Sequence, residues 1–303
     1  MKLSIIVPVV NESESVNICA QQWAMTAFHD GIRLEIVIAD NGSKEEHIKN
    51  YDKLGEFHKG FEVKLVRHPY PGQIIPAVAK AYEEVTGEYL LIADAHILYY
   101  PDAFASSIKL MEKKDLGAVC MLHNHLGMTP VHDESFIAGD EKMYGDRLGL
   151  TYCVEPRYIF MSGQSGTLIR TDWYDKLGRL FPEVFKEVGG GFCAIEDLIP
   201  TLTWMFGKKI MSNPEAIYWH LIYKHNADEG KVKGLTDSIA VCHYLKNHED
   251  DWYKWVEDWR GKLDPKIKDK IEEVGKEARA YVAANSKWKY QDLFDKWEEM
   301  KNG

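Results

Sequence analysis

The chain lacks the glycine signatures by which many proteins cradle phosphate. No G-x-G-x-x-G follows its first apolar run, which argues against a dinucleotide site. No G-x-x-x-x-G-K-[ST] occurs in its 303 residues, which excludes a P-loop enzyme. Cysteine is sparse: Cys19, Cys120, Cys153, Cys193 and Cys242 are odd in number, scattered, and form no C-x-x-C pair. That pattern favours reduced, mostly buried thiols over a disulfide framework. Positive charge is short, with 37 Lys and Arg against 47 Asp and Glu and a net charge of -10. Generic binding to nucleic acid or anionic membranes is disfavoured, and a local basic patch is the remaining route. No apolar run is long enough to cross a bilayer. The opening MKLSIIVPVV is very short, is broken by Pro8, and runs into Asn-Glu-Ser without a small-residue cleavage site. A cytoplasmic protein is the expectation.

What is present describes an ordinary globular protein, with 45% hydrophobic and 28% charged residues. The length suits one large or two modest domains. The N-terminal half alternates strands and helices. Strands are expected at 3–10, 34–39, 63–67, 89–93 and 117–122, and helices at 13–29, 45–58 and 74–86. Pro101 is expected to open a further helix from a first-turn position. Such alternation implies an α/β fold, with a mostly parallel central sheet and flanking helices. The stretch from His123 to Glu155 reads as irregular, Ser162 to Arg170 as a strand, and Leu198 to Phe206 as a helix behind Gly189-Gly190-Gly191. Two short extended pieces, 209–211 and 216–219, lead to His220. A change of character near Asn226 divides the chain into a catalytic domain, 1–225, and a charged, Trp-bearing helical C-terminal extension, 226–303.

The strongest chemical signal is LLIADAHILY. A buried strand stops at Asp94, one spacer and His96, and residues two apart in extended chain point to the same side. A carboxylate with a neutral imidazole suits a divalent first-row ion such as Mn2+, which could hold a diphosphate. Polar residues gather at other strand ends too: Asn11-Glu12, Asp40-Asn41, and Glu196-Asp197 behind the glycine-rich loop. In open α/β sheets ligands sit outside the carboxyl ends of the strands. With no glycine cradle, phosphate is left to a metal.

Five ordered segments carry a family resemblance: SIIVPVVNES, EIVIADNGS, TGEYLLIADAH, SGQSGTLIRTDWYDKLG and GGGFCAIEDLIPTLTWMFGKKIMSNPEAIYWH. Together, over roughly residues 1 to 222, they resemble the family 2 glycosyltransferases of the GT-A fold. The resemblance implies a metal-dependent transfer of sugar from a nucleotide-sugar, a UDP-sugar first, to an acceptor hydroxyl. By position, Pro8 and Val9 would line the nucleotide with backbone, Glu12 would bond a ribose hydroxyl, and Asp40 would accept the N3–H of a uracil-type base. Ala95, Gly163 and Gln164 would lie against the donor. Asp94, His96 and His220 would hold Mn2+ or Mg2+. Asp197, with Glu196 beside it, would be the catalytic carboxylate, removing the acceptor proton in an inverting displacement.

The family's usual D-x-D is D-x-H here, as in the polypeptide N-acetylgalactosaminyltransferases, which are retaining enzymes of the same fold; the stereochemical outcome stays open. Replacing a carboxylate by an imidazole removes one negative charge and favours Mn2+ over Mg2+. His123, His125 and His132 are assigned no metal. The acceptor is open among a glycan, a protein side chain and a modified nucleobase in DNA, with the Lys-rich C-terminal helices the candidate path for the last. The alternatives are a nucleotidyltransferase of similar fold, which the missing basic glycine loop disfavours, and a catalytically silent nucleotide-sugar binding or scaffold protein.

Overall fold

A computed structural model describes residues 1–57, 61–68, 73–125, 155–160, 162–189, 192–221, 229–246, 249–260, 262–293 and 299. The first strand, β1 (Lys2–Val9), is buried along nearly its whole length, because both faces of the sheet are covered. Its residues alternate between two cores: Ile5 and Val7 face one, and Ile6 faces the other. The strands β2 (Arg33–Asp40) and β4 (Tyr89–Ile92) flank β1 in parallel, and β3 (Glu62–Arg67) adds outside β2. Beyond β4 the sheet changes direction. The strand β7 (Thr167–Arg170) runs antiparallel to both β4 and β6 (Leu116–His125). Next come β8 (Lys209–His220), parallel to β6, and β5 (Ile97–Tyr99), antiparallel at the edge. The order is β3-β2-β1-β4-β7-β6-β8-β5, a mixed sheet whose parallel half is its N-terminal half.

One face is covered by α1 (Ser13–His29), α2 (Glu45–Phe57) and α4 (Ala103–Met111). Trp23 of α1 is fully buried there and donates its indole N–H to the carbonyl of Ile97 at 2.7 Å, which ties α1 to β5. The other face carries α3 (Ile74–Tyr82), α6 (Pro182–Val188) and α7 (Phe192–Met205), the last two preceded by the short α5 (Thr171–Lys176). The C-terminal helices α8 (Glu229–Lys246), α9 (Tyr253–Arg260) and α10 (Pro265–Asn285) pack on this same layer. Their Ile239, Leu245, Ile271 and Val282, with Trp252 in the turn before α9, belong to the apolar core that also holds Ile6, Leu90 and Leu198. The extension therefore shares the core of the sheet. Trp252 packs edge-on to Tyr244. Among the described residues no helix is long and apolar enough to cross a membrane.

Several boundaries differ from the sequence reading. Helix α3 stops at Tyr82 instead of Thr86. Helix α4 starts at Ala103, not at Pro101, because Asp102 takes a left-handed φ of 67° before it. Its free N–H groups are met from outside: the Asp30 carboxylate accepts from Phe104 and Ala105, both at 3.0 Å. The two short pieces leading to His220 form one strand, β8, with a register break opposite Met121 and Leu122. Pro214 falls in that break, where a missing ladder N–H costs nothing. Helix α7 begins at Phe192, so Glu196 and Asp197 lie within a helix and not at its mouth. His123 and His125 extend β6, while His132, Gly190 and Gly191 lie outside the described residues.

Candidate active site

The crevice at the carboxyl ends of β1, β2 and β4 is shaped first by backbone. Asn11 follows β1 with a φ of 58°, a left-handed conformation that Asn tolerates through local hydrogen bonding. Its N–H donates to Ser43 Oγ at 2.8 Å, and its side-chain oxygen accepts from Lys44 N at 2.8 Å. Glu12 N–H donates to the buried Tyr51 hydroxyl at 2.9 Å. Burial pushes the Tyr51 phenol above its ordinary range, so that oxygen stays protonated. The two loops after β1 and β2 are thus stitched into one rim. Val9 is buried and Pro8 half-buried within that rim.

Asp40 ends β2 and is only 1% exposed. Its Oδ1 accepts from Ser43 N at 3.0 Å, an Asx-type turn. Its Oδ2 lies 3.8 Å from Arg67 Nε, at the end of the neighbouring β3. The turn uses Oδ1, and Oδ2 faces Arg67.

The residues expected to hold a metal come together. Pairing of β5 with β8 sets His220 opposite Ile97, one residue from His96, and Leu221 N–H donates to the His96 carbonyl at 3.0 Å. The Nε2 atoms of His96 and His220 are 3.0 Å apart, and Asp94 Oδ2 is 3.8 Å from His220 Nε2. One ligand atom from each of the three residues falls within 4.8 Å of the others. The set fits a divalent cation. Two nitrogens bound at about 2.1 Å with a right angle between them sit about 3.0 Å apart. Around this triad, Glu12 Oε1 lies 3.8 Å from His96 Nδ1, on the far side of the imidazole. His123 stacks flat on Tyr218 at 4.9 Å and meets His220 edge-on at 5.6 Å.

Sequence reasoning missed Ser165. It stands in the 3-10 turn Gln164–Gly166 before β7, and its hydroxyl donates to Asp94 Oδ2 at 3.0 Å. Ser165 and Ala95 are buried beside Asp94, Gly163 is buried, and the expectation for Gln164 concerns a side chain outside the described set. Nothing in the local pattern separates Ser165 from its neighbours; the antiparallel pairing of β4 with β7 brings it to Asp94.

The expected catalytic carboxylate has other company. Asp197 is 1% exposed, and both of its oxygens lie 2.7 Å from Nζ of Lys246, a fully buried lysine of α8. Thr201 donates to Oδ1 at 3.1 Å, and the ammonium also lies 4.8 Å above the Tyr290 ring. Burial, with the Lys246 charge nearby, pushes the His243 pKa well down. Asp197 and Lys246 form a buried ion pair between α7 and α8. Glu196, one residue earlier, is half-buried.

A model of the family described as Glycosyl transferase family 2 matches residues 4–177, more than half of the chain. A dolichol-phosphate mannosyltransferase of Pyrococcus furiosus is 24% identical over 112 residues, covering 37% of this chain and 30% of the relative. Among solved structures, GalNAc-T7 with UDP, GalNAc and Mn2+ superposes with a TM-score of 0.60 at 16% identity, over 98% of this chain and 58% of that one. The mannosyltransferase PcManGT of Pyrobaculum calidifontis, with GDP-Man and Mn2+, gives a TM-score of 0.55 at 14% identity, over 99% and 80%. S. aureus TarS with UDP-GlcNAc gives 0.52 at 11% identity, over 99% and 92%. The chain spans less than two thirds of the dolichol-phosphate mannosyltransferase and of GalNAc-T7. The fold is that of the GT-A glycosyltransferases, and the chain belongs to glycosyl transferase family 2.

Proposed function

We propose that this protein is a metal-dependent glycosyltransferase that moves a sugar from a nucleotide-sugar, a UDP-sugar by preference, to an acceptor hydroxyl. The observation that carries the reading is the convergence of Asp94, His96 and His220 beside the rim built from the β1 and β2 ends. A divalent cation held there, Mn2+ before Mg2+, would neutralise charge developing on a departing diphosphate. Asp40 supports the uracil preference: Oδ2 is the oxygen left by the Ser43 turn, and a carboxylate accepts an imide N–H. Glu12 is assigned to a ribose hydroxyl, with its N–H fixed by Tyr51 and its carboxylate 3.8 Å from His96 Nδ1.

The family resemblance gives proton removal to Asp197, and with it an inverting outcome. Its enclosure by Lys246 speaks against that role, because a base must reach the acceptor hydroxyl within about 3 Å. Of the two adjacent acids, Glu196 keeps the exposure a base needs. The reading of the reaction as transfer does not depend on this choice.

The test is thermal stabilisation against UDP, GDP, UDP-sugars and GDP-mannose, with and without Mn2+, followed by assay of the product released. A ligand at one hundred times its dissociation constant adds about 2.7 kcal/mol to the folded state. Stabilisation by uridine nucleotides that needs Mn2+, that is lost in Asp94→Ala, and that accompanies UDP release supports the reading. Preference for GDP would overturn the uracil assignment. Pyrophosphate release from a nucleoside triphosphate would overturn transfer in favour of a nucleotidyltransferase, and no response to any nucleotide would overturn both.

A further inference from the structure

We propose that Ser165 is a positioning residue of the metal centre, holding the Asp94 carboxylate in the orientation in which it can share a cation with His96 and His220. The inference rests on the metal reading above and adds to it a residue outside the three candidate ligands.

Two hydrogen bonds join the same pair of residues. Ser165 Oγ donates its single proton to Asp94 Oδ2 at 3.0 Å and accepts from Asp94 N–H at 3.1 Å. An aspartate carboxylate otherwise rotates about a soft terminal torsion. The reciprocal contact closes a small ring that fixes both the side chain and the backbone from which it springs. The oxygen that Ser165 holds, Oδ2, is also the one 3.8 Å from His220 Nε2.

Ser165 is itself fixed. It is 4% exposed, and its carbonyl accepts the Tyr99 hydroxyl at 2.5 Å. Burial, aided by the charge of Asp94, raises the Tyr99 phenol well above its ordinary pKa, so it remains a donor. Tyr99 is anchored to α1, its N–H donating to Gln22 Oε1 at 2.8 Å and its carbonyl accepting from Thr26 Oγ1 at 2.9 Å. On the other side, Thr167 Oγ1 donates to the Gly163 carbonyl at 2.5 Å and pins the turn. A side chain at Gly166 would collide with the Tyr218 ring, so the turn can lie this close to β8 only with glycine there. A chain of hydrogen bonds thus runs from α1 through Tyr99 and Ser165 to the carboxylate. Groups that orient a ligand in this way set metal affinity as much as the ligands do.

The experiment titrates the full-length protein with Mn2+, alone and with saturating UDP, following free Mn2+ by electron paramagnetic resonance. Apo-protein melting is recorded in parallel. Ser165→Ala is expected to weaken Mn2+ binding by about 10–100-fold while the apo melting temperature stays near that of the unmodified protein. Tyr99→Phe, which removes only the bond to the Ser165 carbonyl, is expected to weaken it less. Equal Mn2+ affinity in Ser165→Ala and the unmodified protein would overturn the proposal while leaving the metal reading intact. Failure of the unmodified protein to bind Mn2+ under either condition would overturn the metal reading and the proposal with it. A drop in apo stability without a change in affinity would assign Ser165 to the turn alone.

Discussion

Two aspartates of this chain sit in opposite circumstances. Asp94 follows β4 by two residues at the open rim of the sheet, where its side chain is 29% exposed and faces two imidazoles. Asp197 sits inside a helix, 1% exposed, with both oxygens taken by a buried ammonium. Both are acids beside apolar runs, and nothing local tells them apart. The difference lies in what surrounds them. Around Asp94 the neighbours are further potential ligands and a hydroxyl that orients it, whereas around Asp197 a counter-ion already balances the charge. Converging ligands define a site that can take a guest, and a matched pair defines a joint. Glu35 is a third acid of the joint kind. At 0% exposure it accepts from Ser4, Thr86, Lys2 and Lys64 near the amino ends of the strands.

The contrast breaks first at Asp197. Asp197→Asn removes the carboxylate from a buried ammonium and is expected to cost about 3–5 kcal/mol in urea unfolding. The apolar pair Asp197→Leu with Lys246→Met should recover most of that loss. An Asp197→Asn protein of unchanged stability that has lost turnover would instead make Asp197 the base and the ion pair incidental.

Glu35 sharpens the comparison through pH. Burial by itself raises this carboxyl, but the bonds from Ser4, Thr86, Lys2 and Lys64 outweigh it and hold the pKa at about 2, against an ordinary 4.5. A lowered pKa contributes stability that is complete above the ordinary value and is lost as pH falls through the lowered one. The unmodified protein should therefore shed on the order of 2–3 kcal/mol between pH 5 and pH 2 that Glu35→Gln does not shed. Parallel stability profiles for the two proteins would show that the cluster does not hold the charge.

The smallest effect belongs to the turn that supports the open site. Gly166→Ala places a methyl against Tyr218 and the Met121 carbonyl, and overpacking of this kind costs about 1–3 kcal/mol. Because the turn carries Ser165, Mn2+ affinity should fall together with the melting temperature. A variant as stable as the original, with intact affinity, would mean the turn has room to spare.

Local pattern carried much of this. The alternation of strands with helices and the strand that leads toward Asp94 are properties of neighbouring residues; β4 itself ends at Ile92, and Ala95 and His96 form a turn where the sequence suggested extended chain. Convergence with His220 depends on β5 running antiparallel to β8 across 124 residues of chain, and there the resemblance, not the periodicity, pointed to the partner. What stayed hidden depends on pairings with no local mark. Ser165 reaches Asp94 through the β4–β7 pairing, and the enclosure of Asp197 depends on Lys246, 49 residues later on a helix that reads as a separate extension. The mixed half of the sheet was hidden for the same reason, since strand direction is settled by tertiary packing.

The central claim is that Asp94, His96 and His220 bind one divalent cation. Pulsed electron paramagnetic resonance of Mn2+ added to the full-length protein, with and without UDP, tests it directly. The account predicts one bound ion per chain with coupling to two imidazole nitrogens, reduced to one in His220→Ala. Bound Mn2+ with no nitrogen coupling, or coupling unchanged in His220→Ala, would contradict it.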